Sequence, residues 1–144
     1  MSTQTDAQLS AELQEIHLLN KQWLSDVLFL EDETRFFQKL FDTILSSAIK
    51  KERFQEVQFV NASITEIEER RNHLKTLIVH HQHVVESILK DSTEKIGLDL
   101  ISKNEVITNE IKALFNADKL IKKELYQLVE SIIREDKAEH LLNP

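Results

Sequence analysis

Residues 9–48 read LSAELQEIHLLNKQWLSDVLFLEDETRFFQKLFDTILSSA, and they give the clearest indication of the fold of this chain. The apolar residues of this stretch recur at alternating intervals of four and three, with polar exceptions at Asn20 and Thr34. A period of 3.5 residues held over five heptads is typical of helices that pack side by side in a left-handed coil. The positions on this stripe are Leu9, Leu13, Ile16, Asn20, Trp23, Val27, Leu30, Thr34, Phe37, Phe41, Ile44 and Ala48.

Two further segments hold the same heptad frame, so three helices are expected. The second stripe consists of Val57, Val60, Ile64, Ile67, Arg71, Leu74, Ile78, His81, Val85 and Ile88. The third consists of Leu100, Asn104, Ile107, Ile111, Leu114, Asp118, Ile121, Leu125, Leu128 and Ile132.

The composition excludes most other architectures. The 144 residues contain one glycine, one proline and no cysteine. β-Rich folds need turn residues that tolerate positive φ, and phosphate-binding loops need several glycines. Without cysteine the chain forms neither disulfides nor thiolate metal sites.

These patterns predict an all-α fold, an antiparallel up-down-up bundle of three long helices with coiled-coil-like packing. We expect a single domain over residues 1–144, with helices at about 7–48, 54–90 and 93–139.

The sequence marks the second turn more clearly than the first. The first reversal is expected near 49–54, although no Gly, Pro or Asn marks it. The third helix is expected to open at Asp91-Ser92-Thr93-Glu94, which has capping-box spacing with Asp in place of Ser or Thr. This start would place Gly97 inside the first turns, at a cost of about 1 kcal/mol relative to Ala.

Charge argues against nucleic acid and membranes as partners. The formal net charge is −7, and no segment of the chain is basic. Nucleic acids and anionic membranes attract basic surfaces. The longest apolar run, Val27-Leu28-Phe29-Leu30, falls far short of the ~20 residues that a membrane span needs. We therefore expect a cytoplasmic protein.

Polar residues on the apolar stripes are the first candidate site. The turns are assumed to lie near residues 50 and 92. Residue i of the first helix then lies opposite about residue 100 − i of the second helix, and residue j of the second helix lies opposite about residue 184 − j of the third. Asn20, His81 and Asn104 then share one level, and we expect a hydrogen-bonded polar core layer that fixes the register or holds a small polar ligand or ion. Arg71 and Asp118 form a possible buried ion pair.

Four of the six histidines lie between positions 73 and 83. None has a glutamate three residues before it, so the ligand pattern of di-iron helical bundles is absent. His17 is roughly level with His83, which makes a zinc site of His17, His80 and His83 possible.

Aromatic residues crowd the first helix and the start of the second. Their spread around the first helix predicts an interaction patch, which a second copy of the chain would cover in a homodimer. The patch residues are Trp23, Phe29, Phe36, Phe37 and Phe41.

No catalytic set assembles from these residues. The sequence therefore favours a non-enzymatic helical interaction or scaffolding protein that binds itself or a protein partner, with no cofactor. The alternative is a ligand- or metal-binding bundle that uses the histidine-rich second helix.

Overall fold

The computed structural model describes the backbone of residues 2–90 and 97–142. Side chains are described at 11–90, 97 and 99–139. The elements are three α-helices and, within these ranges, there is no strand.

Helix α1 spans Ser2–Lys50, α2 spans Phe54–Lys90, and α3 spans Leu98–Leu142. The reversal between α1 and α2 takes only residues 51–53, inside the range predicted from the sequence. The predicted capping sequence at 91–94 lies outside the described residues.

The chain divides into two compact units, and each helix contributes a segment to both. The first unit comprises Met1–Phe29 and Arg71–Ala113. The second comprises Leu30–Arg70 and Leu114–Pro144.

In the first unit, three helical segments pack around an apolar core. Leu13 of α1, Val85 of α2 and Leu100 of α3 form one buried cluster. Further along α1, the Trp23 ring contacts the ring of His81, which precedes Val85 on α2. The order of these contacts shows that α1 and α2 run antiparallel in this unit.

In the second unit, ion pairs show the relative direction of α1 and α3. Lys122 of α3 contacts Glu33 of α1 at 3.4 Å. Lys51, which follows α1, contacts Asp136 and Glu139 near the end of α3, both at 2.9 Å. Later residues of α1 therefore meet later residues of α3, so these two helices run parallel. The predicted up-down-up three-helix fold is confirmed.

The predicted heptad stripes form the core. Among the described residues, every fully buried side chain lies on one of the three stripes. In the first unit these include Val27, Ile78 and Ile107, and in the second Leu30 and Leu125. The agreement follows from the 3.5-residue period, which keeps the same face of each helix toward its neighbours.

Gly97 does not lie inside a helix, so that expectation was wrong. It immediately precedes α3, and its carbonyl accepts hydrogen bonds from the N–H groups of Leu100 at 3.2 Å and Ile101 at 3.5 Å. Gly97 is thus the N-cap of α3, a position where glycine is well tolerated. Among the described residues, the nearest atom to a Cβ built on Gly97 is the Asp99 amide nitrogen, 4.0 Å away.

Candidate functional site

The first candidate site is the polar level of the first unit. Asn20 is 0% exposed and His81 2%, while Asn104 is half-buried. Asn104 lies near enough to His81 to favour the charged form of the imidazole. The helix-level estimate had put these two residues on one level.

The surroundings of His81 favour its neutral form. Burial is the main cause that lowers the pKa of this imidazole, and the charges of Lys103 and His80 add to the effect, whereas Asn104 opposes it. The Trp23 ring covers one side, with ring centroids 6.3 Å apart and planes inclined by 31°. His81 is therefore a neutral donor and acceptor at physiological pH.

The hydrogen bonds predicted for this layer are not made between the side chains. Both amide atoms of Asn20, both ring nitrogens of His81 and the Oδ1 atom of Asn104 are buried without a hydrogen bond to another protein group. Each such group costs about 1–3 kcal/mol in desolvation. The layer is thus polar and incompletely satisfied, which is unusual for a purely structural core.

The second candidate site is a carboxyl pair in the second unit. Asp118 is 4% exposed, and its Oδ1 atom has no hydrogen-bond partner. Burial raises the pKa of Asp118 to about 7, with further contributions from a hydrogen bond to Glu33 and from its charge, while Lys122 lowers it. Two adjacent carboxyl groups that share a proton behave in this way.

Sequence reasoning missed Glu33, because it lies one position off the core stripe of α1. The signal was nevertheless available. The two relations that pair facing residues of neighbouring helices, applied in turn, place Glu33 beside Asp118. A long side chain next to the stripe also reaches the edge of the core.

Arg71 is buried in the first unit. One terminal nitrogen donates to Asn72 Oδ1 at 3.4 Å, while Nε and the other terminal nitrogen have no protein partner. Asp118 belongs to the second unit. The ion pair between Arg71 and Asp118 stays a prediction.

The three-histidine zinc site is wrong. No three His, Asp or Glu side chains in the described part of the chain lie close enough to hold a metal ion. His80 and His83 are exposed and lie on the same side of α2, whereas His17 is half-buried on α1.

The predicted aromatic patch is only partly a surface. Trp23, Phe37 and Phe41 are buried, because they occupy the heptad stripe of α1. Phe29 and Phe36 lie off that stripe and are more than half exposed. The first three residues are therefore core and not patch.

Three exposed phenylalanines lie in the second unit. Phe36, Phe54 and Phe59 are 52%, 51% and 57% exposed. Phe59 also lines an open groove of about 300 Å³ between α2 and α3, whose floor contains the buried Val60 and Leu128. An accessible aromatic ring beside an apolar groove is typical of interaction surfaces.

No known protein family, curated protein or solved structure matches this chain. No helix in the described ranges contains a stretch long and apolar enough to cross a membrane.

Proposed function

We propose that this protein is a non-enzymatic helical interaction module that self-associates as a homodimer or binds a protein partner. The observation that carries the proposal is the exposure of Phe36, Phe54 and Phe59 in the second unit. Exposed single apolar residues are ordinary, but aromatic side chains are enriched at interfaces because they bury a large area in few rotamers.

The polar groups support a binding module over an enzyme. The buried Asp118 and His81 belong to different units, and neither ring nitrogen of His81 accepts a hydrogen bond from a hydroxyl, the contact by which a histidine activates a nucleophile. A net charge of −7 argues against nucleic acid and anionic membranes as partners, and we propose a cytoplasmic location.

Light scattering coupled to size exclusion tests the self-association. The 16.8 kDa chain should elute as a dimer at high concentration. Replacing Phe54 and Phe59 together by Ser should shift the protein toward monomer, because each replacement removes apolar area from the interface.

The control for this experiment is Val106→Ser. Val106 is equally exposed but lies in the first unit, so its loss should leave the oligomeric state unchanged. Circular dichroism checks that all variants remain helical. A wild-type monomer at every concentration would rule out the homodimer and leave only a protein partner.

A further inference from the structure

The groove beside Phe59 in the second unit has acidic walls as well as an apolar floor. Val60 and Leu128 on its floor are each 2% exposed, whereas Phe59 on its α2 side is 57% exposed. The lining residues span little more than one turn of each helix, so the groove is about 8 Å long. This length fits one turn of a partner helix, which presents one or two side chains on one face.

The charge on the walls of the groove is negative. Among the described residues that line it, the charged ones are Glu56 of α2 and Glu124 of α3, one on each wall. Both are exposed. Glu124 has no ion-pair partner in the described part of the chain, so its charge is available to a partner.

The nearby lysines and arginines do not cancel this charge. Arg53, which precedes α2, contacts Glu56 at 2.9 Å and also contacts Glu135, so it is shared between two carboxylates. On α3, Lys122 pairs with a glutamate of α1, and the exposed Lys123 does not line the groove. The groove therefore keeps a net negative charge.

Charge complementarity selects the occupant of this groove. A carboxylate on each side of an apolar floor favours apolar side chains flanked by lysine or arginine. A groove between two helices accepts a third helix, whose side chains at i and i+4 lie on the same face. Two copies of this chain repel each other through their net charge of −7, so the walls favour a cationic segment over a second copy.

We propose that this groove binds a short basic amphipathic helix of a partner protein. One or two large apolar side chains of that helix lie on Val60 and Leu128, and its lysine or arginine side chains lie beside Glu56 and Glu124. This inference rests on the proposed function, because it names the class of partner that the interaction module takes. Phe59 also belongs to the proposed dimer surface, so binding of the helix and self-association should exclude each other.

Fluorescence anisotropy with a synthetic helix tests this groove. The labelled probe is an alanine-rich peptide with two leucines at i and i+4 between lysines, and its counterpart has glutamate in place of every lysine. The lysine peptide should bind saturably at low ionic strength and more weakly as sodium chloride is added, because salt screens exposed charges. The glutamate peptide should not bind.

Two substitutions locate the binding on the protein. Glu124→Gln should weaken the affinity for the lysine peptide about threefold, because one exposed ion pair is lost. Phe59→Ser should weaken it about tenfold or more, because the aromatic contact is lost.

Glu130→Gln and Phe36→Ser are the matched controls. Both residues are exposed and lie in the second unit, but neither lines the groove. Both variants should bind the lysine peptide like the wild type, and circular dichroism verifies that all four variants remain helical.

Three results would overturn the proposal: equal binding of the lysine and glutamate peptides, equal affinities of Glu124→Gln and Glu130→Gln, or wild-type affinity of Phe59→Ser. Absence of lysine-peptide binding would overturn it as well. If light scattering showed a dimer in that case, only this inference would fail and the proposed self-association would stand. Peptide binding by a chain that stays monomeric would exclude the homodimer and support the basic partner.

Discussion

Asp118 shows how one buried residue can set the pH dependence of this fold. It occupies a core position of α3, where a carboxylate is poorly solvated and has Glu33 as its neighbour. Its folded-state pKa of about 7 lies above the ordinary value of 3.8, so folding favours the protonated acid. The contribution of Asp118 to stability is therefore fully present below about pH 4 and is lost as the pH rises to about 7.

Asp118→Asn tests this behaviour, because asparagine resembles the neutral acid in shape. The variant should be more stable than the wild type by about 2 kcal/mol at pH 8, against an upper limit of roughly 4 kcal/mol for the whole shift. The difference should shrink as the pH falls toward 4. Urea unfolding at several pH values measures both quantities.

Asp42→Asn serves as the control, since Asp42 is an exposed carboxylate on α1 in the same unit. It should alter stability little at either pH. If Asp118→Asn were less stable than the wild type at pH 8, the charged carboxylate would be stabilising, and the interpretation of the pair would be wrong.

At the scale of the element, the end of α1 explains why the first turn was hard to locate in the sequence. The N–H of Arg53 bonds to the carbonyl of Ala48, and the N–H of Glu52 to that of Ile49, both at 3.0 Å. These two bonds define a Schellman motif, and Glu52 has the left-handed φ of 59° that the motif requires. Glycine or asparagine usually marks this position, so a glutamate there gives no signal.

Glu52→Gly should stabilise the protein by about 1 kcal/mol, because glycine adopts a left-handed conformation without the steric cost that a Cβ imposes. Thermal or chemical unfolding measures the gain. Glu56→Gly provides the contrast: it lies in the first turn of α2 and pairs with Arg53, so the same exchange should destabilise. If Glu52→Gly were less stable than the wild type, the Glu52 side chain would add more to the free energy of unfolding than its left-handed backbone conformation takes away.

At the scale of the whole molecule, a homodimer would link folding to protein concentration. A partner that binds only the folded chain stabilises it by mass action. The midpoint of thermal unfolding should therefore rise over about a hundredfold increase in protein concentration. The Phe54→Ser, Phe59→Ser double variant should lose this dependence, as differential scanning calorimetry would show. A wild-type midpoint that is the same at all concentrations would contradict self-association.

The spacing of apolar residues along the chain was enough to specify the helices and their buried faces. A 3.5-residue period specifies which side of a helix is apolar, and the near absence of glycine and proline leaves few places for a helix to end. This is why Asn20, Thr34, His81 and Asp118 could be placed on the buried faces from spacing alone, whereas spacing left open whether Arg71 reaches solvent.

The packing of the helices against one another sets which neighbours these residues meet. Hydrogen bonding depends on side-chain directions that spacing does not fix, so the layer at Asn20 and His81 proved unsatisfied and Asp118 was found beside Glu33. Periodicity describes each helix along its own axis, whereas a site forms only where side chains from different helices meet.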